Sequence, residues 1–140
     1  MSTATMRTII AITMIFQGIG HFMGLMPILG IKLSDSHSGK SWLLTGSLGE
    51  KLSHVVGFFV WSAALLCFVL AGLSLLGWLV PQDWWQLLVK IAAIISLVGL
   101  AFFWNAFPFF FPNKLGVITV DCALLISLFF LKWPHHILGK

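Results

Sequence analysis

The sequence predicts an all-α fold, a four-helix transmembrane bundle forming a single domain over residues 1–140. Three observations predict it. The chain is 59% hydrophobic and only 9% charged, against about 25% charged residues in a typical soluble domain. Its mean hydropathy of +1.03 makes lipid the solvent that suits its surface. Four apolar runs reach the roughly 20 residues that a helix needs to cross about 30 Å of hydrocarbon. In lipid the backbone must satisfy its own hydrogen bonds, so these runs are helices, and the alternating pattern of a membrane barrel is absent.

The first run covers residues 7–26. Its leading stretch, MSTATMRTIIAITMIF, lacks a small-x-small cleavage site and reads as a retained span rather than a removed signal peptide. The second covers 47–80 and holds VVGFFVWSAALLCFVLAGLSLLGWLV. The third covers 85–107 and the fourth 114–132. VPQDWW, at 80–85, predicts a tight turn between the second and third. FPFFFPN, at 107–113, ends the third, because Pro108 and Pro112 lack the N–H that would continue a helix. Trp78, Trp84, Trp85, Trp104 and Trp133 fall near predicted helix ends, where indole rings favour the membrane interface.

One connection is long, from 27 to 53. KLSDSHSGKS, at 32–41, reads as a polar loop that includes His37. SLGE, at 47–50, has the spacing of a capping box, with Ser47 and Glu50 closing the amides at the start of the second helix. Leu44, Leu48 and Leu52 then form an apolar stripe. The plain reading is an interfacial helix between the first two spans that closes one end of the bundle; a substrate lid is the alternative.

The net charge is +4, with eight basic residues spread singly. No cluster tracks a phosphate backbone, which excludes a nucleic-acid partner. Arg7, Lys90, Lys132 and Lys140 fall on one side; Lys32, Lys40, Lys51 and Lys114 fall on the other. That even split leaves orientation undecided by the positive-inside rule. Lys90, several residues inside the third span, must snorkel outward. Cys67 and Cys122 lie in apolar runs without a C-x-x-C, so they read as small hydrophobes rather than a thiol relay.

The polar residues inside the spans carry the functional question. FQGIGHFMG, at 16–24, puts Gln17, His21 and Gly24 on one helical stripe. Gly20 and Gly24 make a small-xxx-small pair suited to close helix approach. Glu50, His54 and Trp61 share a stripe of the second helix. At about 1.5 Å rise per residue, Asp121 lies roughly 10 Å inside the fourth span. His21, Glu50, His54, Asn105 and Asp121 therefore converge on the half of the bundle next to the long connection. An ionised carboxylate there costs about 2.5–3.5 kcal/mol even on the lenient insertion scale, so Asp121 calls for a proton, a partner or a polar cavity. His21 is the first candidate partner, followed by Asn105 and His54.

The candidates for ligand binding or proton handling are thus His21, Asp121, His54, Asn105, Gln17 and Glu50. Each has a structural reading beside the functional one: a hydrogen-bonded pair that fixes helix register, or in Gln17 an interhelical amide bond. His21 and His54 could flank a haem, but no H-x-x-x-H or E-x-x-H spacing supports a metal site. His135 and His136 read as a solvated tail. No Ser/His/Asp order and no phosphate-cradling glycine loop supports a hydrolase or an ATPase.

With four spans, GIGHF in the first and LGVITVDCALLISLFFLKWP closing the fourth, the chain resembles the DoxX-like group of small four-helix membrane proteins. That resemblance implies a bundle in the cytoplasmic membrane of a prokaryote, N-terminus inside. Some members are associated with quinone-linked sulfur oxidation or thiol stress. The resemblance carries over no catalytic residue, and the sequence names no cofactor. The leading expectation is an accessory or ligand-binding membrane protein, taking a lipid- or quinone-like hydrophobic ligand in a polar pocket. The alternatives are a component of a quinone- or haem-linked oxidoreductase, and a proton-coupled solute transporter. The transporter class expects discontinuous helices and repeat symmetry. The bilayer is the expected partner, with a second copy or a membrane complex as further candidates.

Overall fold

A computed structural model describes residues 1–133 and Leu138. His135 and His136 of the expected tail lie outside the described residues. Among the described residues the fold is all helical. Four helical stretches are long and apolar enough to cross a membrane: Thr3–Leu25, Glu50–Leu75, Gln82–Phe102 and Phe110–Phe129.

The first stretch is α1 (Thr3–Gly20) followed by a single turn, α2 (Phe22–Leu25). It starts earlier than the hydropathy edge at residue 7, because the Ser2 hydroxyl accepts from the Thr5 amide and caps the helix. A short helix, α3 (Leu44–Leu48), precedes α4 (Glu50–Leu75). The expected capping box does not form. Gly49, at φ +85°, breaks the chain between α3 and α4, and the Ser47 hydroxyl donates back to the Leu43 carbonyl (2.9 Å). The second span therefore begins at Glu50 and stops at Leu75. Gly77 turns at φ +76°, the Ser74 hydroxyl donates to Pro81 O (2.6 Å), and the Gln82 amide donates to Leu75 O (2.9 Å). The Gln82 side chain thereby meets a carbonyl at the α4 C-terminus, where the final carbonyls of a helix have no partner of their own, and the Ser74 bond holds the turn. α5 (Trp85–Phe102) ends five residues before the expected boundary, and a wide turn at Phe110–Lys114 leads into α6 (Leu115–Phe129).

Helix α4 packs against both α1 and α5, and α6 packs on α5. Glycines set the α1–α4 approach. A Cβ on Gly18 would meet Val69 at 2.8 Å and Leu65 O at 2.9 Å; one on Gly72 would meet Ile15 at 2.6 Å and Ala11 O at 2.7 Å. Rising numbers on α1 meet falling numbers on α4, so the pair is antiparallel. The expected Gly20–Gly24 pair is not the contact. Gly20 faces open space, and Gly24 lies under the Trp61 ring.

Two apolar layers result. Met14, Phe68, Leu75, Trp85 and Val89 fill the layer toward the α1 N-terminus. Trp61, Leu100, Phe103, Phe107 and Val117 fill the layer toward the long connection. Trp85 is buried in the first of these layers rather than lying at the interface, whereas Trp78, Trp84, Trp104 and Trp133 are exposed. Lys90 sits over the Phe129 ring, 4.8 Å from its centroid.

The segment between α2 and α3 folds back onto the bundle. His37, read from the sequence as a loop residue, is fully buried. Its Nε2–H points at the carbonyls of Ala106 (2.8 Å) and Met23 (3.1 Å), and its Nδ1 accepts from the Leu33 amide (3.1 Å). The Ser38 amide donates to Asn105 O (2.9 Å), and the Trp42 indole donates to Ala101 O (2.7 Å). These bonds pin the connection over the end of α5.

Candidate functional site

Helix α1 breaks at His21, and that break builds the site. The His21 amide turns to the carbonyls of Gly18 and Ile19. The imidazole reaches back one turn instead, with Nδ1 2.7 Å from Gln17 O. A carbonyl only accepts, so Nδ1 carries the hydrogen. On the other side of the ring, Nε2 lies 2.6 Å from the Ser96 hydroxyl on α5. The Gln17 side chain points toward α6 and donates from Nε2 to Asp121 Oδ1 (2.8 Å). Ser96 also borders Asp121. Oδ2 of Asp121 is nevertheless buried and makes no hydrogen bond.

Gln17, His21, Ser96 and Asp121 thus form a nearly closed ring of polar groups that ties α1, α5 and α6 together. His21, Ser96 and Asp121 are each 0% exposed. Aromatic rings wall the imidazole. Phe68 stacks on it at 5.3 Å, and Trp61 and Phe107 stand 6.1 Å away. Phe68 belongs to one apolar layer, Trp61 and Phe107 to the other. The polar ring is therefore a belt between two dry cores, where satisfied polar networks are strong and unsatisfied groups are costly.

The arrangement has a definite proton logic. If the imidazole is neutral, Nε2 accepts from Ser96 and the hydroxyl hydrogen is spent. Asp121 Oδ2 can then join the ring only by carrying a proton of its own toward Ser96 Oγ. In the alternative state the imidazole holds that proton, Nε2–H donates to Ser96, and the hydroxyl turns to Asp121. The two states contain the same hydrogens. They differ by one hydroxyl swing and a charge separation.

Of the residues expected from sequence, Gln17, His21 and Asp121 come together here. His54, Glu50 and Asn105 do not. His54 is half-buried and stands 4.0 Å from Glu50, whose other oxygen meets Lys40 at 3.3 Å; Glu50 is exposed. The Asn105 side chain is exposed, and its backbone carbonyl serves the connection. His21 and Asp121 communicate through Gln17 and Ser96 rather than by a direct bond. Cys67 and Cys122 are free and partly exposed. Among the described residues no group of three or more His, Cys, Asp or Glu is placed to hold a metal ion.

Sequence reasoning passed over Ser96 and His37. Ser96 did leave a signal: Val89, Ala92, Ala93, Ser96, Gly99 and Leu100 recur at helical spacing and mark the buried face of α5. His37 left none, because its burial depends on carbonyls from two distant segments.

Comparisons with models of known protein families, with curated proteins and with solved structures return no match for this chain.

Proposed function

We propose that this small polytopic membrane protein is a proton-handling accessory protein, in which Asp121, Ser96 and His21 hold a single exchangeable proton inside the bundle. The observation that carries the reading is the buried ring itself. It is complete except at Asp121 Oδ2, the one atom that needs a proton to close it. Gln17 orients the carboxylate, Ser96 is the relay, and the Gln17 carbonyl keeps the imidazole hydrogen on Nδ1, so that Nε2 faces the relay. The resemblance drawn from the sequence extends the proposal to a DoxX-like protein in the cytoplasmic membrane of a prokaryote. His54 and Asn105 make no bond to the ring, and His54 faces Glu50 instead, which favours proton handling over a ligand pocket shared by all the candidate residues.

The test is a proton-binding titration of the protein in nanodiscs of neutral phospholipid, read with a pH dye between about pH 4 and 9, where His and shifted carboxylates titrate. The wild type is expected to bind one more proton per chain across this range than Asp121→Asn. Identical curves would reduce the ring to a structural clasp.

A further inference from the structure

A groove opens on the outer face of α4, away from the polar ring. It holds about 430 Å³ and is lined by Ile28, Lys51, His54, Val55, Phe58 and Phe59. That volume is within the ~300–1,000 Å³ common for ligand sites. Its chemistry is graded along the helix. Lys51 and His54 stand at one end; Val55, Phe58 and Phe59 form the other and are exposed.

The grading matches the depth of the bilayer. α4 has 26 residues, so it is about 39 Å long at 1.5 Å per residue. The hydrocarbon core is about 30 Å thick. The excess is roughly two turns. The opposite end of α4 closes at the tight turn into α5, so the first turns, which carry Lys51 and His54, project to headgroup depth. Phe58 and Phe59 then lie at the top of the acyl region.

Charge complementarity selects the occupant. Glu50 is engaged by Lys40 and faces His54. Among the described residues, no carboxylate lies within ion-pair distance of Lys51. A cation without a partner at headgroup depth, above an apolar trough, suits a phosphate with an acyl chain beneath it. We propose that this groove binds an anionic phospholipid, its phosphate held by Lys51 and His54 and one acyl chain laid over Phe58 and Phe59. This site is independent of the proton-holding ring.

The experiment is native mass spectrometry of the protein released from nanodiscs of phosphatidylcholine and phosphatidylglycerol in a three-to-one ratio. The wild type is expected to retain phosphatidylglycerol above its share of the bilayer. One basic residue near an anionic surface contributes about 1 kcal/mol, so Lys51→Gln is expected to lower that enrichment about five-fold. Lys51→Arg should keep it. Lys90→Gln, which removes the same charge at the opposite end of the bundle, should also keep it. Retention of both lipids in their bilayer ratio would overturn the proposal. So would equal losses in Lys51→Gln and Lys90→Gln. Lys51 is exposed, and a melting curve for each variant confirms that the fold is shared.

Discussion

Gln17 donates to Asp121 across 2.8 Å, joining α1 to α6 over 104 residues of sequence. The two helices at the ends of the chain meet through this amide and this carboxylate, while the broad packing runs through α4 and α5. A bond so placed has a measurable signature. Gln17→Leu strands the buried Asp121 carboxylate, at about 1–3 kcal/mol, and Asp121→Leu strands the half-buried Gln17 amide at a smaller cost. The double variant strands neither and should cost less than the sum of the two. Interhelical polar bonds in membranes average about 0.6 kcal/mol, with a maximum near 1.7, and the coupling energy from unfolding in detergent should fall in that range. Additive losses would show that the pair does not interact.

Ser96→Ala removes the hydroxyl that meets His21 Nε2 at 2.6 Å. With no other partner in the dry belt, the imidazole nitrogen is left unmet, at a cost of about 1–3 kcal/mol. Equilibrium unfolding of the variant measures it. A loss below about 0.5 kcal/mol, the low end for an ordinary hydrogen bond, would mean that the bond contributes little.

Close approach of α1 and α4 predicts a contrast among glycines. Gly72→Ala puts a methyl 2.7 Å from the Ala11 carbonyl, and Gly18→Ala puts one 2.9 Å from Leu65 O. Backbone cannot step aside cheaply, so each should destabilise by about 1–3 kcal/mol. Gly20 has no neighbour within 4 Å of an added Cβ. Gly20→Ala should be neutral, or stabilising by up to about 1 kcal/mol through the unfolded chain. Thermal melts of the three variants check the ordering.

His37→Ala should loosen the connection rather than the spans. It removes the ring that reaches Met23 O, Ala106 O and the Leu33 amide. Trypsin sites at Lys32 and Lys40 flank it. Cleavage there, which follows the population of the opened segment, should rise at least about five-fold, equivalent to a loss of about 1 kcal/mol. Unchanged cleavage would mean that Ser38 and Trp42 hold the segment without it.

Particular residues show where sequence reading reached and where it stopped. The spans were legible because lipid imposes length and hydropathy on every helix that crosses it. Their ends moved where local groups decide them: Ser2 lengthens α1, and Gly49 denies Ser47 and Glu50 their capping box. Gln17 and His21 were legible as one stripe, and rise per residue set Asp121 at their depth. Depth does not fix direction around a helix axis. His54 and Asn105 share the half-bundle but face elsewhere. Ser96 looked like one more small residue in an apolar helix. Gly18 and Gly72 were hidden for a related reason: Gly20 and Gly24 have the better spacing, but which face meets α4 is a tertiary matter.

The proposed sharing of one proton between Asp121 and His21 through Ser96 has a spectroscopic signature. Nitrogen NMR of the chain in bilayers, labelled at the histidine rings and assigned with a His21 variant, tests it most directly. With a shared proton, Nδ1 of His21 keeps its hydrogen throughout, and Nε2 changes on acidification at a pH that moves in both Ser96→Ala and Asp121→Asn. A hydrogen resident on Nε2 with Nδ1 bare, or a response identical in wild type and both variants, would contradict the sharing.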